Sequence, residues 1–182
     1  MLVKSLVICV LTIILTDFSF GCNNKIMSNS VDDNVPVNPE NIWIFMMAGQ
    51  SNMAGRGAIE PQDTVTNNRI ITIDSDNNWV IARQPLHFYE PGLKGLDCGM
   101  SFALELLNHI PDSITIALVP CAVGGSSVFQ WLNDEQHRGE NLLSNFREKV
   151  QLAQNKGVIK GVLWHQGESN ANAADLPVFK QE

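Results

Sequence analysis

Basic residues are scarce in this chain: 12 Lys and Arg stand against 19 Asp and Glu over 182 residues, a formal net charge of −7. Nucleic acids and anionic membrane surfaces attract basic patches, so neither is expected as a partner, and a neutral, hydroxyl-rich substrate suits the surface better than a polyanion. Cysteine is sparse too. Of the four present, Cys9 and Cys22 fall in an N-terminal leader. Only Cys98 and Cys121 remain for the domain, with no Cys-x-x-Cys spacing to hold zinc. Two readings stay open for that pair: one disulfide in an oxidising compartment, or free thiols packing as small apolar groups. No internal repeat occurs, and the longest early apolar run, Leu6–Leu15, is too short to span a bilayer comfortably.

The first 22 residues read instead as a targeting segment. Lys4 supplies a positive start and Leu6–Leu15 an apolar stretch. Ser19-Phe20-Gly21-Cys22 resembles a bacterial lipobox, with a bulky Phe20 where small residues are usual. In that reading Cys22 is acylated, and the protein is an exported periplasmic or cell-surface lipoprotein with a lipid anchor to a bacterial membrane. Plain secretory cleavage and a retained membrane anchor are the alternatives. Residues 23–40, rich in Asn, Asp, Ser and Pro, fit a flexible tether. Residues 41–182 then hold enough chain for one core and hardly for two.

Within that domain, short apolar runs alternate with helical stripes. Ile42–Ala48, Thr115–Val119 and Val158–Leu163 read as strands buried on both faces, and Arg69–Asp74 as a further short strand. Asp74–Trp79 and Pro85–Gly99 read as loops. Phe102, Ala103, Leu106, Leu107 and Ile110 form one apolar stripe at helical spacing, closed by Pro111. Leu142, Leu143, Phe146, Val150 and Ala153 form another, with Gly157 as its expected C-cap. Strands alternating with helices imply a parallel sheet.

Each of the three principal strands ends in a polar, glycine-containing loop: Gly49-Gln50-Ser51-Asn52-Met53-Ala54-Gly55-Arg56-Gly57, then Cys121-Ala122-Val123-Gly124-Gly125-Ser126-Ser127, then Trp164-His165-Gln166-Gly167-Glu168-Ser169-Asn170. A doubly wound sheet brings such loops to one edge, where open α/β folds bind their ligands. A lone Gly-x-Ser is more often a capped turn than a nucleophile; three such loops in this order favour a site. The Gly-x-Ser-x-Gly elbow of ordinary α/β hydrolases is missing, because Met53 takes the last position.

Together the Gln50-Ser51-Asn52-Met53 element, the Gly124-Gly125-Ser126-Ser127 loop and Trp164-His165-Gln166-Gly167-Glu168 resemble the sialate O-acetylesterase and acetylxylan esterase group of the SGNH-hydrolase superfamily (carbohydrate esterase family 6-like), across about residues 41–176. The resemblance implies a three-layer α/β/α sandwich around a central parallel sheet. It also implies a serine esterase that removes O-acetyl groups from carbohydrates, acetylated sialic acid or xylan-type glycans, without metal or cofactor. Ser51 would be the nucleophile. Its own N–H, that of Gly125 (or Gly124) and the Gln166 amide would face the oxyanion. Glu168 would orient a catalytic His or hold the loop, while Gln50, Asn52, Arg56 and Gly124 would support the nucleophile loop or contact substrate.

The base is less legible. Related enzymes carry it in a late Asp-x-x-His, and none follows Glu168 before Glu182, so the sandwich is expected to be C-terminally truncated. Asp134-x-x-His137 lies upstream and reads as a solvated loop rather than a relocated base. His165, next to Gln166 along a strand, is expected to point to the opposite face. Two other functions stay open: an exported glycan-binding protein without the base, and an esterase of non-sugar esters.

Overall fold

The computed structural model describes residues 38–172. The leader with Cys22 and the tether up to residue 37 lie outside the described residues, as do residues 173–182. Seven strands and four α-helices follow one another: β1 (Ile42–Gly49), α1 (Ser51–Ala54), β2 (Ile70–Ile73), β3 (Trp79–Ile81), α2 (Gly99–Leu107), β4 (Thr115–Pro120), α3 (Val128–Leu132), β5 (Gln136–His137), β6 (Glu140–Asn141), α4 (Leu142–Gln154) and β7 (Val158–His165). Five strands make one sheet in the order β3-β2-β4-β1-β7, and β5 and β6 form a small antiparallel ribbon.

The fold is α/β, with a sheet parallel in all pairs but one. The expectation of a wholly parallel sheet needs correcting at its edge. Asp74 accepts the backbone N–H groups of Asp76 and Asn78, and this turn folds β3 back antiparallel on β2. A lone acceptor two and four residues ahead of its donors signals a turn, whereas the three residues of β3 are too few for a periodic pattern.

Alternation along the strands builds the two cores. Ile42, Ile44, Met46 and Ala48 of β1 face one side with Ile71, Ile73, Ala117 and Val119, under α3 and α4. Met47 faces the other with Ile70, Ile116 and Leu118, under α1 and α2. Helices therefore cover both faces of the sheet. The C-cap of α4 is Asn155 rather than Gly157. Gly157 serves the approach to β1: a Cβ there would lie 2.5 Å from the Ile42 carbonyl oxygen.

Parallel register sets the site. Met47 pairs with Pro120 and Gly49 with His165, so β1, β4 and β7 end together with β1 between the other two.

Candidate active site

The chain turns out of β1 through Gly49, where φ is +134° and a Cβ would lie 2.0 Å from the His165 carbonyl oxygen. No other residue fits so close to a neighbouring strand. Gln50 N–H then donates to that same carbonyl at 3.0 Å, and Ser51 opens the single turn of α1. The N–H groups of Met53 and Ala54 fold back onto the Gln50 carbonyl, but Ser51 N–H and Oγ form no hydrogen bond among the described residues. Ser51 is half-buried.

A polar network ties the three strand-end loops around that serine. Glu168 accepts from the Gln50 and Asn52 side-chain amides and lies 3.2 Å from His165 Nε2. Ser169 Oγ donates to Gln50 Oε1 at 2.9 Å and reaches the Gly125 carbonyl at 3.4 Å. Ser126, fully buried, donates to the Val123 carbonyl at 2.9 Å and approaches the Gly49 carbonyl at 3.3 Å, while accepting Trp131 Nε1–H at 3.0 Å. Partial burial works against the charge of Glu168, but the bonds from Gln50, its own backbone and Asn52, with His165 nearby, hold its carboxyl below the ordinary range. His165 meets Glu168, which also holds Gln50 and Asn52 beside α1, while Gln166 reaches Ser126 and Asn170 beside α3, so the two neighbouring side chains part to opposite sides as strand alternation predicts.

Gln166 donates through Nε2 to the Ser126 carbonyl at 3.0 Å and approaches Asn170 Oδ1 at 3.5 Å. Its Oε1 is buried without a partner among the described residues. Asn170 is buried as well and accepts Val128 N–H at 3.1 Å, linking the third loop to the start of α3.

Sequence reasoning missed Glu90. It sits in the Pro85–Gly99 loop, only 6% exposed, with Oε2 accepting Gly124 N–H at 2.6 Å and Arg56 Nη2 at 2.6 Å. Oε1 accepts Arg138 Nη1 at 2.6 Å. Burial raises its pKa, and the Arg56 and Gly124 hydrogen bonds and the two guanidinium charges overcome that, leaving the carboxyl below the usual range. Arg56 also donates to the Gly55 and Leu93 carbonyls, so it is a tie across loops rather than a solvated surface charge. The same loop is pinned by Asp97, whose Oδ1 accepts Gly99 N–H at 2.8 Å and whose Oδ2 meets His87 Nδ1 at 3.2 Å. No motif flags Glu90; an acid in a polar loop acquires its role only when Arg56 and Arg138 arrive from elsewhere.

Of the two glycine N–H groups weighed as oxyanion donors, that of Gly124 is thus taken. Gly125, at φ +78°, forms no N–H hydrogen bond among the described residues. Asp134 does not face His137: it accepts Ser144 N–H at 2.8 Å and the Ser144 hydroxyl, capping the start of α4. Cys98 is exposed and Cys121 buried, and no disulfide joins the two. Among the described residues, no group of three or more His, Cys, Asp or Glu gathers as a metal site, and no helix is long and apolar enough to cross a membrane.

Comparison with known proteins bears on the family and the fold. A family model described as carbohydrate esterase, sialic acid-specific acetylesterase, matches residues 41–182. A protein of Arabidopsis thaliana described as a probable carbohydrate esterase is 35% identical over 153 residues, 74% of this chain and 56% of its own length. The chain thus spans about half the length of that curated relative. The crystal structure of the Arabidopsis thaliana protein superposes with a TM-score of 0.68 at 33% identity, covering 79% of this chain and 65% of that one. NanS, at 19% identity, shares the fold with a TM-score of 0.58 over 80% of this chain and 61% of its own. By its sequence over residues 41–182 and by its α/β sheet, the chain belongs to the sialic acid-specific acetylesterase family of SGNH-type carbohydrate esterases.

Proposed function

We propose that this protein is a serine esterase that removes O-acetyl groups from carbohydrates by way of a Ser51 acyl-enzyme. The observation that supports it best is the network Asn52–Glu168–Gln50–Ser169–Gly125, which joins all three strand-end loops and, among the described residues, leaves Ser51 Oγ, Ser51 N–H and Gly125 N–H unbonded between them. Donors gathered between tied loops suit an anion that appears only in the transition state.

Ser51 Oγ bonds to the acetyl carbonyl carbon and gives up its proton to a base. The carbonyl oxygen, now negative, lies against the N–H groups of Ser51 and Gly125. The bond to the sugar oxygen then breaks, that oxygen takes a proton, and water releases acetate from Ser51 in the second half. Gln166 is the third donor in this reading, its Nε2 exchanging the longer contact to Asn170 Oδ1, at 3.5 Å, for the oxyanion. The family supports a carbohydrate ester as substrate, and acetylated sialic acid and acetylated xylan are both candidates. The leader and Cys22 support export, with lipid anchoring at a bacterial membrane.

A fluorophosphonate probe should label Ser51. Ser51→Ala should abolish the labelling together with acetate release from acetylated sialic acid, acetylated xylan and p-nitrophenyl acetate. Wild-type turnover by Ser51→Ala would overturn the nucleophile assignment, and turnover of p-nitrophenyl acetate with neither glycan would overturn the substrate class.

A further inference from the structure

His137 lies outside the three loops, yet its ring reaches into them. Its Nε2 lies 2.9 Å from the Gly124 carbonyl oxygen, and its Nδ1 lies 3.4 Å from Gln130 Nε2. Hydrogen-bond roles along this chain are fixed from its far end. Ser127 N–H donates to Gln130 Oε1 at 2.9 Å, within the capping box that starts α3. The other amide atom of Gln130, Nε2, is then the one that faces His137. An amide nitrogen only donates, so Nδ1 accepts, and the ring proton resides on Nε2. A carbonyl only accepts, so Nε2–H donates to Gly124.

That carbonyl shares a peptide unit with the Gly125 N–H, which is unbonded among the described residues. A trans peptide is planar, with its C=O and N–H pointing in opposite directions. Fixing the Gly124 oxygen therefore fixes the Gly125 N–H. Glycine on both sides makes this peptide the easiest in the loop to rotate, while the preceding N–H, that of Gly124, is already held by Glu90 at 2.6 Å. A hydrogen bond accepted at C=O also polarises the N–H of the same unit and strengthens it as a donor.

We propose that His137 is a positioning residue for the oxyanion donor: it grips the Gly124 carbonyl from outside the pocket and so aims the Gly125 N–H at the reacting oxygen. The inference rests on the reading of Gly125 as that donor. It also assigns His137 a task other than general base, since both ring nitrogens are engaged and Asp134 is bonded to Ser144.

The decisive pair of variants is His137→Phe, which keeps a ring but no donor, and His137→Gln, whose amide can still donate to the carbonyl. With p-nitrophenyl acetate, His137→Phe should lower kcat by roughly 10–100-fold, less than outright loss of a donor, with KM changed by less than about threefold. His137→Gln should recover most of that loss. By NMR, the Gly125 amide proton should shift upfield in His137→Phe and return in His137→Gln, a readout independent of turnover. An unmoved Gly125 resonance overturns the proposal, as does unchanged kcat in His137→Phe. Equal inactivity of both variants, with loss of the acidic limb of kcat/KM, would make His137 the base instead. Failure of the proposed function appears elsewhere, as absence of acetate release by the unsubstituted protein, or as wild-type turnover in Ser51→Ala for the nucleophile.

Discussion

Glu90 and Glu168 each bind a loop to the Ser51 turn, but they do so in opposite surroundings. Glu90 is 6% exposed and held between two guanidinium groups and a backbone N–H. Glu168 is 40% exposed and meets two neutral amides and an imidazole. The first tie runs from the nucleophile loop through Arg56 to Gly124; the second runs through Gln50 and Asn52 to the end of β7. A buried carboxylate needs full charge compensation, because desolvation is costly and an unpaired partner stays costly. An open carboxylate keeps water as an alternative partner and can be satisfied by dipoles. Rigidity is thus concentrated under the Gly124–Gly125 loop, while the Glu168 side retains freedom to adjust around a substrate.

The sharpest test of that contrast is truncation of each acid. Glu90→Ala leaves Arg56, Arg138 and Gly124 N–H without their acceptor. It should cost about 2–4 kcal/mol of unfolding free energy, below the figure for a fully buried pair because both arginines are partly exposed. Glu168→Ala should cost only about 1 kcal/mol, since water replaces the carboxylate. Urea titration of both variants measures the two values, and a larger loss for Glu168→Ala would break the comparison.

Acidification gives a second test. The folded Glu90 carboxyl titrates below its ordinary value of 4.5, so its charge stabilises the fold fully above that pH. The contribution is lost as pH falls through the lower, folded value. Glu90→Gln has no such term. Its deficit relative to wild type should be constant from pH 7 down to about pH 5 and shrink as pH falls below the ordinary value of 4.5. A deficit that stayed constant over the acidic range would mean that Glu90 acts by packing rather than by charge.

A moderate catalytic effect is expected on the other side. Gln166→Ala should lower kcat by roughly 10²–10³-fold with little change in KM, the signature of a donor that acts on developing charge. A change confined to KM would make Gln166 a substrate contact and leave Ser51 and Gly125 as the whole oxyanion site. The smallest effect is expected at His165, whose pairing with Glu168 is partly solvated. His165→Gln should alter stability by no more than about 0.5 kcal/mol. A larger loss would show that the Glu168 tie is as rigid as that of Glu90.

Much of the frame was legible in the chain. Ile42–Ala48, Thr115–Val119 and Val158–Leu163 announced β1, β4 and β7; the first two are continuous apolar runs buried in the sheet, whereas β7, at the sheet edge and interrupted by Lys160, is only half-buried, short of the burial on both faces that its run suggested. The stripe from Leu142 to Ala153 announced α4 by its period. Gly49-Gln50-Ser51-Asn52, Gly124-Gly125 and Gln166-Gly167-Glu168 marked the candidate site because their spacing after strand ends is local, and local patterns are written in consecutive residues. β3 escaped, being three residues long and dependent on a turn set by Asp74.

What only tertiary structure decided is the use made of individual polar atoms. Nothing near Glu90 in sequence distinguishes it from a solvated acid; Arg56, Gly124 and Arg138 come to it from three separate segments. The choice between Gly124 and Gly125 as a free donor turned on that same carboxylate. Asp134 and His137, three residues apart, look like a catalytic pair in the chain, yet Asp134 caps α4 while His137 meets the Gly124 carbonyl. Strands and helices follow from short-range backbone preferences and the burial of apolar faces, both carried by neighbouring residues. A hydrogen bond depends on a few tenths of an ångström and on every competitor within reach, and only the folded arrangement of all the loops supplies that.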